Sequence, residues 1–144
     1  MDAKELKRAV HTLHRYYIWA NWMRLHFYDL VPKIAENQKP DRFSNEVIEA
    51  DMYTSLWYGE LYVVIEGYHE LKLSDPTIDA LLTSPNVALL KRYRHGVFHF
   101  QKAHFDAGFI AFMRDAKDPA QWVGELNRAF GAFFLNRFQS EQQP

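Results

Sequence analysis

Apolar positions along this 144-residue chain recur at intervals of three and four, and no segment alternates apolar with polar residues as a half-buried strand would. Over residues 4–30, Leu6, Val10, Leu13, Tyr17, Ala20, Phe27 and Val31 form one stripe. Tyr16, Trp19, Met23 and Leu30 form a second beside it, so this first helix has two neighbours. Pro32 is expected to stop or kink it, because proline removes an amide donor and restricts the residue before it. Pro40 and Asp41 mark a turn, and Ser44 caps a second long helix that reads to Leu73 on the stripe Trp57, Leu61, Val64, Ile65, Tyr68 and Leu71. Gly59 and Gly67 interrupt its propensity but not its pattern, which marks them as points of close helix approach.

Asp75-Pro76 carries a cap followed by a first-turn proline and starts a short helix to Leu82. Ser84-Pro85 repeats the signature and starts a helix that runs to about Gln101. Its buried stripe is Leu90, Tyr93, Val97 and Phe100. A further short helix spans His104 to Arg114, with Phe105, Phe109, Ile110 and Phe112 partly buried. The last helix opens at Asp118-Pro119, turns Trp122, Val123, Leu126, Phe130, Phe133, Phe134 and Phe138 to a core, and frays from Gln139. The pattern predicts one domain over residues 1–144, an all-α, up-and-down helical bundle of four principal helices plus one or two short ones.

Composition narrows the chemistry. With 48 % apolar residues and no cysteine, the chain has the material for a core but none for disulfides, thiol catalysis or thiolate metal sites. The charged amino terminus lacks a signal-type apolar run, and no stretch approaches the roughly 18 apolar residues of a membrane span. The expectation is a soluble, cytoplasmic protein with no membrane association.

Charge is distributed less evenly than the net value of -1 suggests. From Ala80 to Phe105 there is no Asp or Glu, whereas Lys91, Arg92, Arg94 and Lys102 are all basic. Residues 1–79 carry nine Lys or Arg against thirteen Asp or Glu. The basic island coincides with the segment Lys-Arg-Tyr-Arg-His-Gly-Val-Phe-His-Phe-Gln-Lys at 91–102, where two arginines and two histidines lie along an apolar helix face. Such an island suits a phosphodiester, and it equally suits a solvated basic face.

A ribose phosphodiester is cut without metal when one group takes the 2′-hydroxyl proton, another protonates the leaving oxygen, and a cation stabilises charge on phosphorus. His99 and His95, one helical turn apart, are the candidate proton-transfer groups. Arg94 is the candidate phosphate clamp, because its planar fork matches two phosphate oxygens. Lys91, Arg92, Lys102 and His104 are candidates for holding the flanking phosphates. Glu66 is a supporting residue that pairs with Arg94 or orients an imidazole. The competing structural reading makes Arg94 a partner of Glu66 or Glu70 and His99 a half-buried histidine bonded to a carbonyl. His11, His14 and His26, on the first helix, read as structural or surface residues.

At Arg94-His95-Gly96-Val97-Phe98-His99 the sequence resembles the HEPN superfamily of all-helical domains, many of which carry Arg, a polar residue, and His after four to six intervening positions. The resemblance gives Arg94 the motif arginine, His99 the motif histidine and His95 the polar position that is often asparagine; Arg92 to His99 also meets the looser spacing. It implies a homodimer whose motifs share one cleft and metal-independent endoribonuclease activity on RNA, without cofactors. It further implies a toxin–antitoxin, phage-defence or RNA-processing setting in which any antitoxin is a separate protein. Two alternatives stay open. One is a noncatalytic HEPN-like module that pairs with itself or binds RNA. The other is a metal-binding bundle using His69, His95, His99 or His104 with Glu66, since Glu66 and His69 have the spacing of a di-iron ligand pair. No second Glu-x-x-His accompanies it.

Overall fold

The computed structural model describes residues 1–37, 41, 44–104 and 107–141. Among them are six helices and no strand: α1 (Ala3–Glu36), α2 (Asn45–Glu70), α3 (Pro76–Leu81), α4 (Asn86–Phe98), α5 (Ala107–Asp115) and α6 (Pro119–Glu141). The fold is an all-α helical bundle in which α1, α2, α4 and α6 are the principal helices and α3 and α5 the short ones. The expected turn at Pro40, the burial of Phe105 and the fraying of residues 142–144 lie outside the described residues.

Local chemistry sets most helix ends. Asp2 and Glu5 form a reciprocal capping box, with Glu5 N–H donating to Asp2 Oδ1 at 2.8 Å and Asp2 N–H to Glu5 Oε2 at 2.9 Å. Asp75 accepts from Thr77 N–H and Ile78 N–H ahead of the Pro76 turn. The end of α2 comes earlier than Leu73 because Lys72 turns left-handed at φ 52°. Its N–H donates to His69 O and that of Leu73 to Tyr68 O, closing the two last-turn carbonyls of a Schellman cap. Proline 32 does not end α1, which continues through Pro32 to Glu36. The proline falls in the closing turns, where few hydrogen bonds remain to be lost.

Large aromatics fill the space between helices. α1 runs antiparallel to α2, with Leu13 against Gly67 near one end and His26 stacked on Tyr53 near the other. α6 is also antiparallel to α1: His11 stacks on Phe138, Tyr17 packs at a tilt against Phe134, and Asn21 hydrogen-bonds Asn127. Between them lies one continuous core that includes Val10, Leu13, Trp57, Leu61, Ile65, Tyr68, Leu90, Phe112, Leu126 and Phe130. The expected core face of α6 is buried from Trp122 to Phe134, with Phe138 packed at its margin.

Two buried asparagines tie the layers together. Asn127 accepts from Trp57 Nε1 at 3.0 Å and donates to Asn21 Oδ1 at 3.1 Å, joining α1, α2 and α6. Asn86 donates to Lys117 O at 2.8 Å and accepts from Lys117 N–H at 3.0 Å, which fixes the α5–α6 link against the start of α4. No helix among the described residues is long and apolar enough to cross a membrane.

Candidate functional site at the end of α4

Helix α4 holds Asn86, Leu90, Tyr93 and Gly96 inside and crosses α2 where Gly59 leaves room for Phe98 and Val97. A Cβ on Gly59 would stand 2.8 Å from the Phe98 ring. Tyr93 adds a hydrogen bond to Ser55 across the same crossing, at 3.1 Å. These contacts set the rotation of α4 and so decide where its basic residues point.

The helix stops at Phe98, three residues before the expected end. His99 is its C-cap, with extended φ −125° and ψ 133°. Phe100, expected in the core, is 93 % exposed. The place that a continued helix would give Phe100 is taken by α5, whose Phe109 ring packs on Tyr93 at 4.8 Å between centroids and against Gly96.

His95 and His99 nevertheless meet. Their ring centroids are 4.5 Å apart at an angle of 31°, and both are exposed. The His99 N–H still donates to His95 O at 3.0 Å, so the last helical hydrogen bond holds the pair together after the backbone has left the helix. Gln101 Nε2 donates to His99 O at 2.8 Å and restrains the turn beyond it.

Arg94 sits round the helix, toward α2. Its Nη2 is 3.6 Å from Glu66 Oε2, and its guanidinium lies 5.9 Å from the centre of the Phe98 ring. Both members of the ion pair are partly exposed, and the separation is longer than a good hydrogen bond, so the pairing contributes about 0–1 kcal/mol. Arg94 Nε and Glu60 Oε2 are buried without hydrogen-bond partners. Burial pushes the Glu60 carboxyl up from its usual range, and the positive charge of Arg94 pulls it partly back. Burial likewise raises the Tyr62 phenol, with Glu66 adding to the rise and Arg94 opposing it. Arg94 is therefore the cation of a partly dry acidic pocket and retains enough exposure for a guanidinium nitrogen to reach solvent.

The other candidates are more scattered. Lys91 and Arg92 are exposed on α4, and Arg92 faces α5, where it helps Arg114 hold the Asp115 carboxyl below its usual range. Lys102 and His104 are exposed on the segment after α4. Glu60 and Tyr62 were missed by sequence reasoning as neighbours of Arg94. The available signal was a carboxylate between buried Gly59 and Leu61, which only an inter-helix cation makes sense of.

A groove of about 410 Å³ between α1 and α2 has Glu66 and Glu70 in its wall, together with Thr12, Leu13 and Tyr16. The histidine pair does not line it, and lies instead on open surface. Among the described residues no three His, Asp or Glu side chains converge as a metal would need, so the Glu66–His69 spacing does not grow into a ligand set. No protein-family model, curated protein or solved structure matches this chain.

Proposed function

We propose that this chain is a metal-independent endoribonuclease of HEPN type that acts as a homodimer. The observation that carries the reading is the exposed His95–His99 pair, 4.5 Å between rings, beside an arginine held by only a loose ion pair. One imidazole takes the proton of a ribose 2′-hydroxyl, and the 2′-oxygen then attacks phosphorus. A second imidazole protonates the 5′-oxygen as the P–O5′ bond breaks, leaving a 2′,3′-cyclic phosphate and a 5′-hydroxyl. Arg94 exchanges Glu66 for two phosphate oxygens and stabilises the charge that develops on them. Lys91, Arg92, Lys102 and His104 bind phosphates on either side. Because the pair lies on open surface, a second copy supplies the opposite wall of the cleft and doubles its positive charge. A toxin or phage-defence role, with a separate antitoxin chain covering the same basic surface, follows from the same reading.

Substituting Arg94→Ala or His99→Ala tests it. Each variant is expected to keep the helical circular dichroism and to lose cleavage of single-stranded RNA in EDTA by at least 100-fold, the scale of a lost general acid or base. Cleavage unaffected by both substitutions rejects the assignment. Exposed Phe98 and Phe100 beside the histidines favour a second reading, a noncatalytic dimeric module that buries these rings against a partner. Dimerisation lost in Phe100→Ser, with no RNA cleavage in the unsubstituted protein, is the outcome that supports it.

A further inference from the structure

Helix α2 carries a row of features along one side. Gly59 receives the Phe98 ring, Glu66 pairs with Arg94, and Glu70 stands in the wall of the groove between α1 and α2. Steps of seven and four residues keep these three on one side of the helix, spread over about 16 Å. The two ends of the row differ in character. At the Gly59 end Phe98 is 41 % exposed, and Phe100, 93 % exposed, is followed by the exposed Lys102. His99 is extended between the two rings, so the Phe100 backbone stands within about 7 Å of that of Phe98. At the other end the groove, about 410 Å³, has Leu13, Tyr16 and Val63 for apolar walls and Glu66 and Glu70 for acidic ones.

Neither end is satisfied within its own chain. Phe100 has no core to enter, since Phe109 of α5 already packs on Tyr93 and against Gly96. Arg94 reaches Glu66 only at 3.6 Å, Arg15 lies over the Tyr16 and Trp19 rings, and the Glu70 carboxylate has no ion-pair partner among the described residues. Two carboxylates turn away the phosphates of a nucleic acid, and they suit an apolar group that brings a positive charge with it. An exposed ring followed two residues later by a lysine is such a group.

We infer that a second copy of this chain fills the groove, with the partner's Phe100 entering between α1 and α2 and the partner's Lys102 pairing with Glu70. A two-fold axis level with the Arg94–Glu66 pair sets the aromatic, basic end of each copy on the apolar, acidic end of the other, so the contact is made twice and closes. The inference rests on the homodimer of the proposed function, to which it gives an interface, and not on the cleavage chemistry. It also brings an ammonium within one helical turn of Glu66, which weakens the hold of that carboxylate on Arg94 and frees the guanidinium for phosphate. Lys102 still serves RNA, because an ammonium has three donors and a single carboxylate leaves at least one of them unused.

Charge reversal in the full chain tests the pairing. Light scattering at low salt is expected to show a dimer for the unsubstituted chain. In Glu70→Lys and in Lys102→Glu the dimer dissociation constant is expected to rise by at least about 10-fold, since like charges then meet at both contacts. The Glu70→Lys, Lys102→Glu double variant restores opposite charges at both contacts and is expected to return to within about 3-fold of the unsubstituted chain. A monomeric unsubstituted chain at about 100 µM, or a double variant that dimerises no more tightly than the singles, overturns the inference. RNA cleavage by the unsubstituted chain separates this contact from the ribonuclease reading. A dimer restored in the double variant, with no RNA cut, upholds the contact and rejects the ribonuclease. RNA cut by a chain whose dimer is insensitive to all three variants rejects the contact alone.

Discussion

The hydrogen bond from Trp57 Nε1 to Asn127 Oδ1 joins two of the principal helices at buried positions, and the cost of breaking it can be worked out. Trp57 is 2 % exposed and Asn127 is 2 % exposed, so neither group finds water when its partner is lost. Asn127→Leu keeps the volume but leaves the indole N–H unpaired, at about 1–3 kcal/mol. Asn21 suffers less, because it is only half-buried and its Oδ1 also accepts from Arg24 Nε at 2.9 Å. Burial of the new leucine offsets roughly 1 kcal/mol, so the net loss is about 0–2 kcal/mol. Trp57→Phe strands Asn127 Oδ1 instead and opens a small void, at about 2–4 kcal/mol. The double substitution removes both polar ends, so its cost falls short of the sum of the two singles by about 1–2 kcal/mol. Urea unfolding followed by circular dichroism measures all four corners of the cycle. Additivity within about 0.5 kcal/mol refutes the reasoning, since it means that neither group was unsatisfied in the single variants.

Other consequences are equally open to measurement. Lys72→Gly relieves the left-handed strain at φ 52° and is expected to raise stability by about 0.5–1 kcal/mol, read as a higher urea midpoint. Gly96→Ala sets a Cβ 2.6 Å from the Phe109 ring and costs about 1–3 kcal/mol in the same assay, shifting the end of α4 as it does so. The Glu60 carboxyl titrates higher folded than unfolded, so its charge destabilises the fold once pH rises above the unfolded value near 4.5. Glu60→Gln is accordingly expected to raise the melting temperature at pH 7 and to leave it unchanged at pH 3. Hydrogen bonds from Tyr68 and Ser74 hold Asp79 below its usual range, so the stability it confers is present above the unfolded carboxylate pKa and is lost as pH falls through the lower folded value. Asp79→Asn should flatten that acid limb in melting curves taken from pH 6 to pH 2.

The helices were legible because large apolar residues at three- and four-residue spacing, together with Asp2, Ser44, Asp75 and the prolines after Asp75 and Asp118, encode faces and starts locally. Helix ends were less legible. Lys72 ends α2 in a conformation that favours glycine, and nothing in the residue itself announces it. The end of α4 depends on α5: Phe109 occupies the position that the stripe assigns to Phe100, an event set by tertiary packing rather than periodicity. The same limit applied on α1, where Trp19 and Val31 fit the apolar stripes by spacing but are exposed, since a stripe does not say how far round a helix its neighbours reach. At the candidate site, the one-turn spacing of His95 and His99 was readable, and so were Glu66 and Glu70 as the two candidate partners of Arg94, of which the packing of α4 on α2 selects Glu66. The dry setting of Glu60 and Tyr62 was not, because it arises only when α4 crosses α2 at Gly59.

The central claim concerns chemistry at Arg94, His95 and His99, and the product termini of RNA cut by the purified chain in EDTA test it most directly. The account predicts fragments ending in a 2′,3′-cyclic phosphate opposite a 5′-hydroxyl, formed by the unsubstituted protein and absent with His99→Ala. Intact RNA under every condition tested, or fragments bearing 5′-phosphates, contradicts it.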